Sequence, residues 1–494
     1  MSQLKKLVRG LNKRLFREAQ SKPDSKPSPP STPPKTTPQL SDSTPPVHER
    51  KDPYFIQIGF DFGTSYSKCV CRDMITNKAW VHIHTKAQRE EFPFLIPSAL
   101  VIENNKIFHV QNARVHYPEN GLYHLKNALV LAANGHLDNP LLVPYRNAVR
   151  LKKPNQLSDF IVACAVYFLA GAIGEIRDKV RNRFPDFGLL PEDYMAINLA
   201  IPVEDAQQPK VNKLYSLIIC VAWELADQLS GHPHIHLTEL QSLIKNIHAK
   251  QNLILNEACS IYPEVSANVQ GFVRSRVSSS GIYLFSDTGG GTVDQSVFIF
   301  MRQDYQEHLT YLAGRVLPIG SSQIERRVAE KCGKTDCLSL ENWREKKESG
   351  DDAPELKEAK GWISKELNRG TESTLALARN KLFLKEQLNK IRVIFGGGGY
   401  CEHPYKTGVM NSFSGQLFMG TLYPDVIGMP VPSDLELKSH ETKWMRRLNV
   451  AYGLSFEKSE LAPFTYPKDV SDPTPEEIWQ PQKPTGHAPT KDEC

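Results

Sequence analysis

The sequence predicts an α/β protein, and three observations carry that reading. Two short apolar strands, Phe55 to Phe60 and Gly281 to Phe285, each run into an aspartate and a glycine turn. A third strand, Ile391 to Phe395, ends in four glycines, Gly396 to Gly399. Between these lie stretches of helical length and period, Ser158 to Val180 and Asn212 to Gln228. Lys68 to Arg72 and Ala79 to Ile83 continue the first strand as a meander, and Ser296 to Phe300 returns from the second. Met195 to Ile201 is predicted as a strand stopping at Pro202, and Leu253 to Leu255 as a short one. Strands interleaved with helices of this length are the pattern of α/β layering.

Composition narrows the function classes. The chain has 494 residues, room for two or three domains, and 40% of them are apolar. A net charge of +5 is mild for this length, so no nucleic-acid partner is expected. The nine cysteines are scattered without a zinc spacing, as for thiols in a reducing cytoplasm. The longest apolar run, Phe160 to Ile176, is broken by glycines and reads as a buried helix, not a membrane span. No secretory signal pattern is expected at the N-terminus.

Four zones follow. Residues 1–19 form a basic amphipathic helix, with Leu4, Leu7, Val8, Leu11 and Leu15 on one face and Lys5, Lys6, Arg9, Lys13 and Arg17 on the other. Such a helix fits an anionic membrane surface, a partner protein or the chain's own globular body, and a transit peptide is a further option. Residues 20–50 are a Pro-rich linker of disordered composition. Residues 51–458 are globular, and 459–494 read as a Pro-rich tail. Cytoplasmic residence is the expectation, with peripheral membrane attachment through residues 1–19 as the variant.

The two glycine turns have the chemistry of phosphate loops. In the first, Asp61 closes the strand, Gly63 permits the tight turn, and Thr64 and Ser65 supply hydroxyl and amide donors. The second repeats that logic with Asp287, Gly289, Gly290, Gly291 and Thr292. A carboxylate at each strand end suits a hydrated Mg²⁺, which keeps most of its waters. One such loop is a weak signal; two with the same grammar, more than two hundred residues apart, are a strong one.

These loops resemble the phosphate-1 and phosphate-2 motifs of the heat shock protein 70 ATPase domain, within the actin, hexokinase and heat-shock superfamily. Val393 to Gly399 resembles that family's adenosine motif. Ile96 to Val101, Leu199 to Val203, Leu255 to Ala258, Ala359 to Ser364 and Ala451 to Gly453 resemble further segments in the family's order. The resemblance implies a two-lobed actin-like ATPase fold of duplicated ribonuclease-H-like domains. The lobes would span about 51–250 and 251–440, with a final helix returning to the first. It implies ATP or ADP with Mg²⁺ held through water by Asp61 and Asp287, and an attacking water placed by Glu257. Phosphates would lie on Gly63, Thr64, Ser65 and Gly289 to Thr292, and the adenosine against Lys360, Ser364, Gly396 and Gly397.

The departures bear on chemistry. Arg114 stands where the family has its catalytic lysine, and a planar guanidinium does not replace a compact ammonium. Lys357 and Gly361 replace the acidic and arginine positions of the adenine-contacting helix. Only about forty residues follow Gly453, too few for the family's peptide-binding domain. The expected function is therefore a slow ATPase switch that controls a protein partner by opening and closing. A membrane-tethered, filament-forming actin-like protein and a nucleotide-binding pseudoenzyme are the alternatives. A small-molecule kinase is less favoured, because no substrate carboxylate segment stands out. The charged stretch Glu325 to Ala359, with Trp343, reads as a solvated helix or a partner site.

Overall fold

A computed structural model describes residues 50–471 and 473, apart from 86–90, 111–113, 149–153, 202–207, 251–255, 276–277, 304–305 and 400–401. The basic helix of residues 1–19, most of the linker, the Leu253 to Leu255 strand and the end of the tail lie outside the described residues.

Two mixed sheets organise the body that starts at Asp52. The first contains β1 (Phe55–Asp61), β2 (Tyr66–Asp73), β3 (Lys78–Val81), β4 (Tyr194–Ile201) and β5 (Cys259–Pro263), in the order β5-β4-β1-β2-β3. The first three form an antiparallel meander, and β4 and β5 run parallel to β1. The second sheet contains β6 (Gly281–Thr288), β7 (Val293–Gln303), β8 (Gln306–Leu317), β9 (Arg392–Gly396) and β10 (Val426–Ile427), in the order β10-β9-β6-β7-β8. Its wiring is the same: β6 to β8 antiparallel, β9 and β10 parallel to β6. In both, the central strand is buried along nearly its whole length, which explains why these segments read as continuous apolar runs and not as alternations.

Helices cover the sheets where the sequence has 3.6-residue periodicity. α2 (Pro154–Arg183) and α3 (Pro209–Leu229) pack on each other in the first core, which follows α1 (Leu125–Ala133). α2 is long and apolar enough to cross a membrane, yet 78% of its apolar window is buried in the protein. In α3 the buried set Val211, Tyr215, Ile218, Ala222, Leu225 and Leu229 recurs every three or four residues. After the short α4 (Glu264–Asn268) come α5 (Ser322–Lys331), α6 (Cys337–Glu348) and α7 (Pro354–Lys381); α7 packs on the second sheet, α5 on α7, and α6 on α5. Asp336 caps α6 by accepting from the Ser339 N–H at 2.9 Å. α7 opens with proline at its first turn, where no N–H is missed. The charged stretch from Glu325 is thus three helical pieces, with Glu325 itself fully buried and Trp343 packed on the core.

The final helix, α8 (Met445–Leu454), lies directly on β1. A Cβ at Gly59 would fall 2.2 Å from the Ala451 carbonyl oxygen, so only glycine admits this approach. Asn198 on β4 donates to the Leu454 and Phe456 carbonyls at 2.8 Å each. The body does not stop at residue 458. Phe464 and Thr465 pair in parallel with Leu309 and Thr310 of β8, and Lys381 donates to the Val470 carbonyl at 2.7 Å. The boundary read from proline content is corrected to at least Val470, because β8 offered an open edge that a short proline-flanked strand completes.

Candidate functional site

The parallel strands of each sheet deliver their carboxyl ends to one cavity of about 600 Å³. Asp61 ends β1, Glu264 follows β5, Asp287 lies near the end of β6, and Gly397 follows β9; all four line that cavity. Carboxyl ends of parallel strands are where α/β sheets bind ligands, and the volume suits a small-molecule site.

The two hairpins are built alike and charged differently. In the first, Asp61 sits directly across the ladder from Lys68, and Lys68 Nζ donates to Asp61 Oδ2 at 2.7 Å. The other oxygen, Oδ1, is buried with no hydrogen-bond partner. In the second hairpin, the cross-strand partner of Asp287 is Asp294, another acid. Like charges opposite each other on a ladder are destabilising unless something neutralises them. Burial first, then the Glu264 charge, pushes the Asp287 carboxyl up to about 7 and Asp294 well above the usual range. Asn268 donates to Asp287, and Thr292 Oγ1 to Asp294 Oδ2 at 2.8 Å.

Lys126 on α1 completes the charge set. Its Nζ donates to Glu264 Oε2 at 2.6 Å. Burial lowers its proton affinity, but Glu264, with Asp294 and Asp61, outweighs that and holds it charged. The loops themselves interlock. A Cβ at Gly290 would meet Ser65 Oγ at 2.2 Å, and one at Gly291 would meet Thr64 Cγ2 at 2.8 Å. Thr64 Oγ1 donates to Asn127 Oδ1 at 3.1 Å. Ser321 and Ser322 N–H groups hold the Gly289 and Gly290 carbonyls at 2.9 and 2.8 Å. Gly397 takes φ +88°, and a Cβ there would lie 2.2 Å from Asp287 Oδ1.

α6 is tied to the segment that precedes α1. Glu341 on α6 accepts from the His116 and Tyr117 N–H groups at 3.1 and 3.0 Å. Tyr117 donates to buried Glu325 at 3.1 Å, and Lys347, on the cavity wall, donates to the same carboxylate at 2.6 Å.

Most of the residues expected from sequence meet here. Asp61, Gly63, Thr64, Ser65, Asp287, Gly289, Gly290, Thr292, Lys360 and Gly397 line the cavity. Gly291 and Gly396 lie just behind its wall, and Ser364 is buried in α7 without reaching it. Glu257 and Arg114 are not brought to it. Glu257 is exposed on the turn before β5, at the end of that strand remote from the cavity, and the carboxylate that arrives is Glu264. Arg114 is exposed beside α6, where its carbonyl accepts from Arg344 at 2.9 Å, and the ammonium groups that meet the Asp61 and Glu264 carboxylates are Lys68 and Lys126. Gln57 to Lys68 carried the signal for Lys68 in its cross-strand register; Lys126 has no local signal.

Whether the donor set fits Mg²⁺ is decided by charge and by the partnerless Asp61 oxygen. Among the described residues no three His, Cys, Asp or Glu side chains form a ligating cluster. A hydrated Mg²⁺ needs only one or two carboxylates plus substrate oxygens, so the pair Asp61 and Asp287 fits it. Cation binding selects ionised Asp287, so affinity for Mg²⁺ with its ligand is expected to rise with pH through about 7. Calorimetry in buffers of different ionisation enthalpy should find proton release at pH 6 that shrinks by pH 8.

Scans against known protein families and curated proteins find no match for this chain.

Proposed function

We propose that the chain is a Mg-ATP-binding, ATP-hydrolysing switch of heat-shock-70-like type. One observation carries this reading: two like-built Asp-glycine hairpins and a third glycine turn converge at parallel strand ends on one cavity lined with lysines. The common strand order of the two sheets supports a duplicated, two-lobed actin-like architecture.

In this reading, Thr64, Ser65, Gly290 and Thr292 hold the phosphate tail through backbone and hydroxyl donors. Asp61 and Asp287 would hold Mg²⁺ through water, which neutralises phosphate oxygens when bound. Glu264 accepts the proton of an attacking water, and Lys126 keeps that carboxylate oriented. Lys68 shifts from Asp61 toward phosphate oxygens as the site fills. Lys126 supplies the ammonium that Arg114 does not, which favours turnover over a pseudoenzyme. Closure comes from the Tyr117, Glu325 and Glu341 contacts across the mouth, a two-state element for a protein partner to sense.

Equilibrium binding of a fluorescent ATP analogue with and without Mg²⁺ tests the reading. Wild type should bind in a Mg²⁺-dependent way, and Asp61→Asn should weaken binding by about 100-fold, as expected for losing a charge-assisted contact worth roughly 3 kcal/mol. Absence of binding by wild type, or an unmoved Asp61→Asn, refutes it.

A further inference from the structure

Arg447 belongs to no motif in the sequence, yet it stands at the cavity wall one helical turn before Ala451 on α8. Its position is fixed on two sides. Its guanidinium lies 4.4 Å from the Phe92 ring centroid. On the other side a Cβ at Gly398 would fall 2.5 Å from Arg447 Nη1, so the guanidinium rests on bare backbone. That backbone belongs to the turn whose preceding residue, Gly397, abuts Asp287 Oδ1 and donates its N–H to the Arg446 carbonyl at 3.0 Å. Adjacent glycines of one turn thus pack on the arginine and on a carboxylate of the proposed cation site.

A planar cation on the wall of a cavity that takes a phosphate tail can engage phosphate oxygens as a fork. Stacking on Phe92 pre-orients the fork, so little freedom is lost on binding. We infer that Arg447 is a phosphate-contacting residue that selects nucleoside di- and triphosphates over nucleosides. It also couples α8 to the phosphate tail. This inference rests on the nucleotide reading above, and the resemblance that led to the glycine motifs assigns nothing to this position.

The test is titration of Mg²⁺ with ADP, adenosine or inorganic pyrophosphate into wild type, Arg447→Met and Arg447→Lys, with thermal unfolding of each. Arg447→Met is expected to weaken ADP and pyrophosphate by about 10- to 100-fold, the usual cost of a lost charge-assisted contact. Adenosine should change less than about threefold, because it makes no such contact. Arg447→Lys, which keeps the charge without the fork, should fall between; it also serves if the methionine variant unfolds early. Equal losses for ADP and adenosine, or an unmoved ADP affinity, overturn the inference. If wild type binds pyrophosphate but no nucleoside, and Arg447→Met loses it, the arginine stands and the nucleotide reading falls. Binding of neither ADP nor pyrophosphate by wild type overturns both.

Discussion

Glu264→Gln is expected to lower ATP turnover by about 10²-fold or more, the usual scale for a lost general base, while Mg-ATP affinity stays within a few-fold. The carboxylate sits between Lys126 and the acids Asp287 and Asp294. An amide of the same shape keeps the cavity filled but cannot take a proton. It also removes one of the charges that raise the Asp287 carboxyl, so the pH dependence of Mg²⁺ binding should move to lower pH in the variant. Single-turnover phosphate release against pH reads both effects. Glu257→Gln is the control: on an exposed turn outside the cavity, it should leave turnover within about twofold, as surface changes usually do. Equal losses in the two variants would show that Glu264 has been given the wrong role.

Asp434→Ala is expected to destabilise the fold by about 3 kcal/mol, because it strands a buried charge. Arg72 on β2 is wholly buried, and its Nη1 meets Asp434 Oδ2 at 2.5 Å. The same guanidinium lies 3.7 Å from the Phe456 centroid, and Tyr452 donates to Asp434 Oδ1 at 2.9 Å. Removing the carboxylate leaves Asn77 as a neutral partner at 2.7 Å, which offsets only part of the loss. Arg72→Met with Asp434→Leu should recover much of the stability of the single variant, since an apolar pair of similar volume has no stranded charge. Denaturant midpoints at constant slope provide the comparison.

Much of this was legible in the sequence, and what was not has definite causes. Strand-aspartate-glycine grammar is local, so Asp61, Asp287 and the glycines could be read from neighbours in the chain. Glu257 shows where such reading fails. It and Glu264 flank the same strand, and the segment Leu255 to Ala258 marks only the first. Strand direction decides between them: β5 runs parallel to β1, so its carboxyl end meets Asp61 and its amino end faces away. Lys126 pairs with a residue 138 positions along the chain, a separation at which no periodicity or motif operates. The end of the body is not legible in composition, because proline is as ordinary in an edge strand as in a tail.

The crossing of the chain from α8 to the edge of β8 has a kinematic consequence. Residues 445–454 are seated on the first sheet, and Phe464–Thr465 is hydrogen-bonded into the second, with Arg274 donating to the Glu460 carbonyl on the way. Glu457 to Pro463 is then a short strap between two anchored ends. In the proposed opening and closing, rotations that lengthen this path would be blocked and those that pivot about it would stay free. The strap would thereby select the axis of motion, and a chain cut after residue 458 would retain the cavity residues while losing that guide.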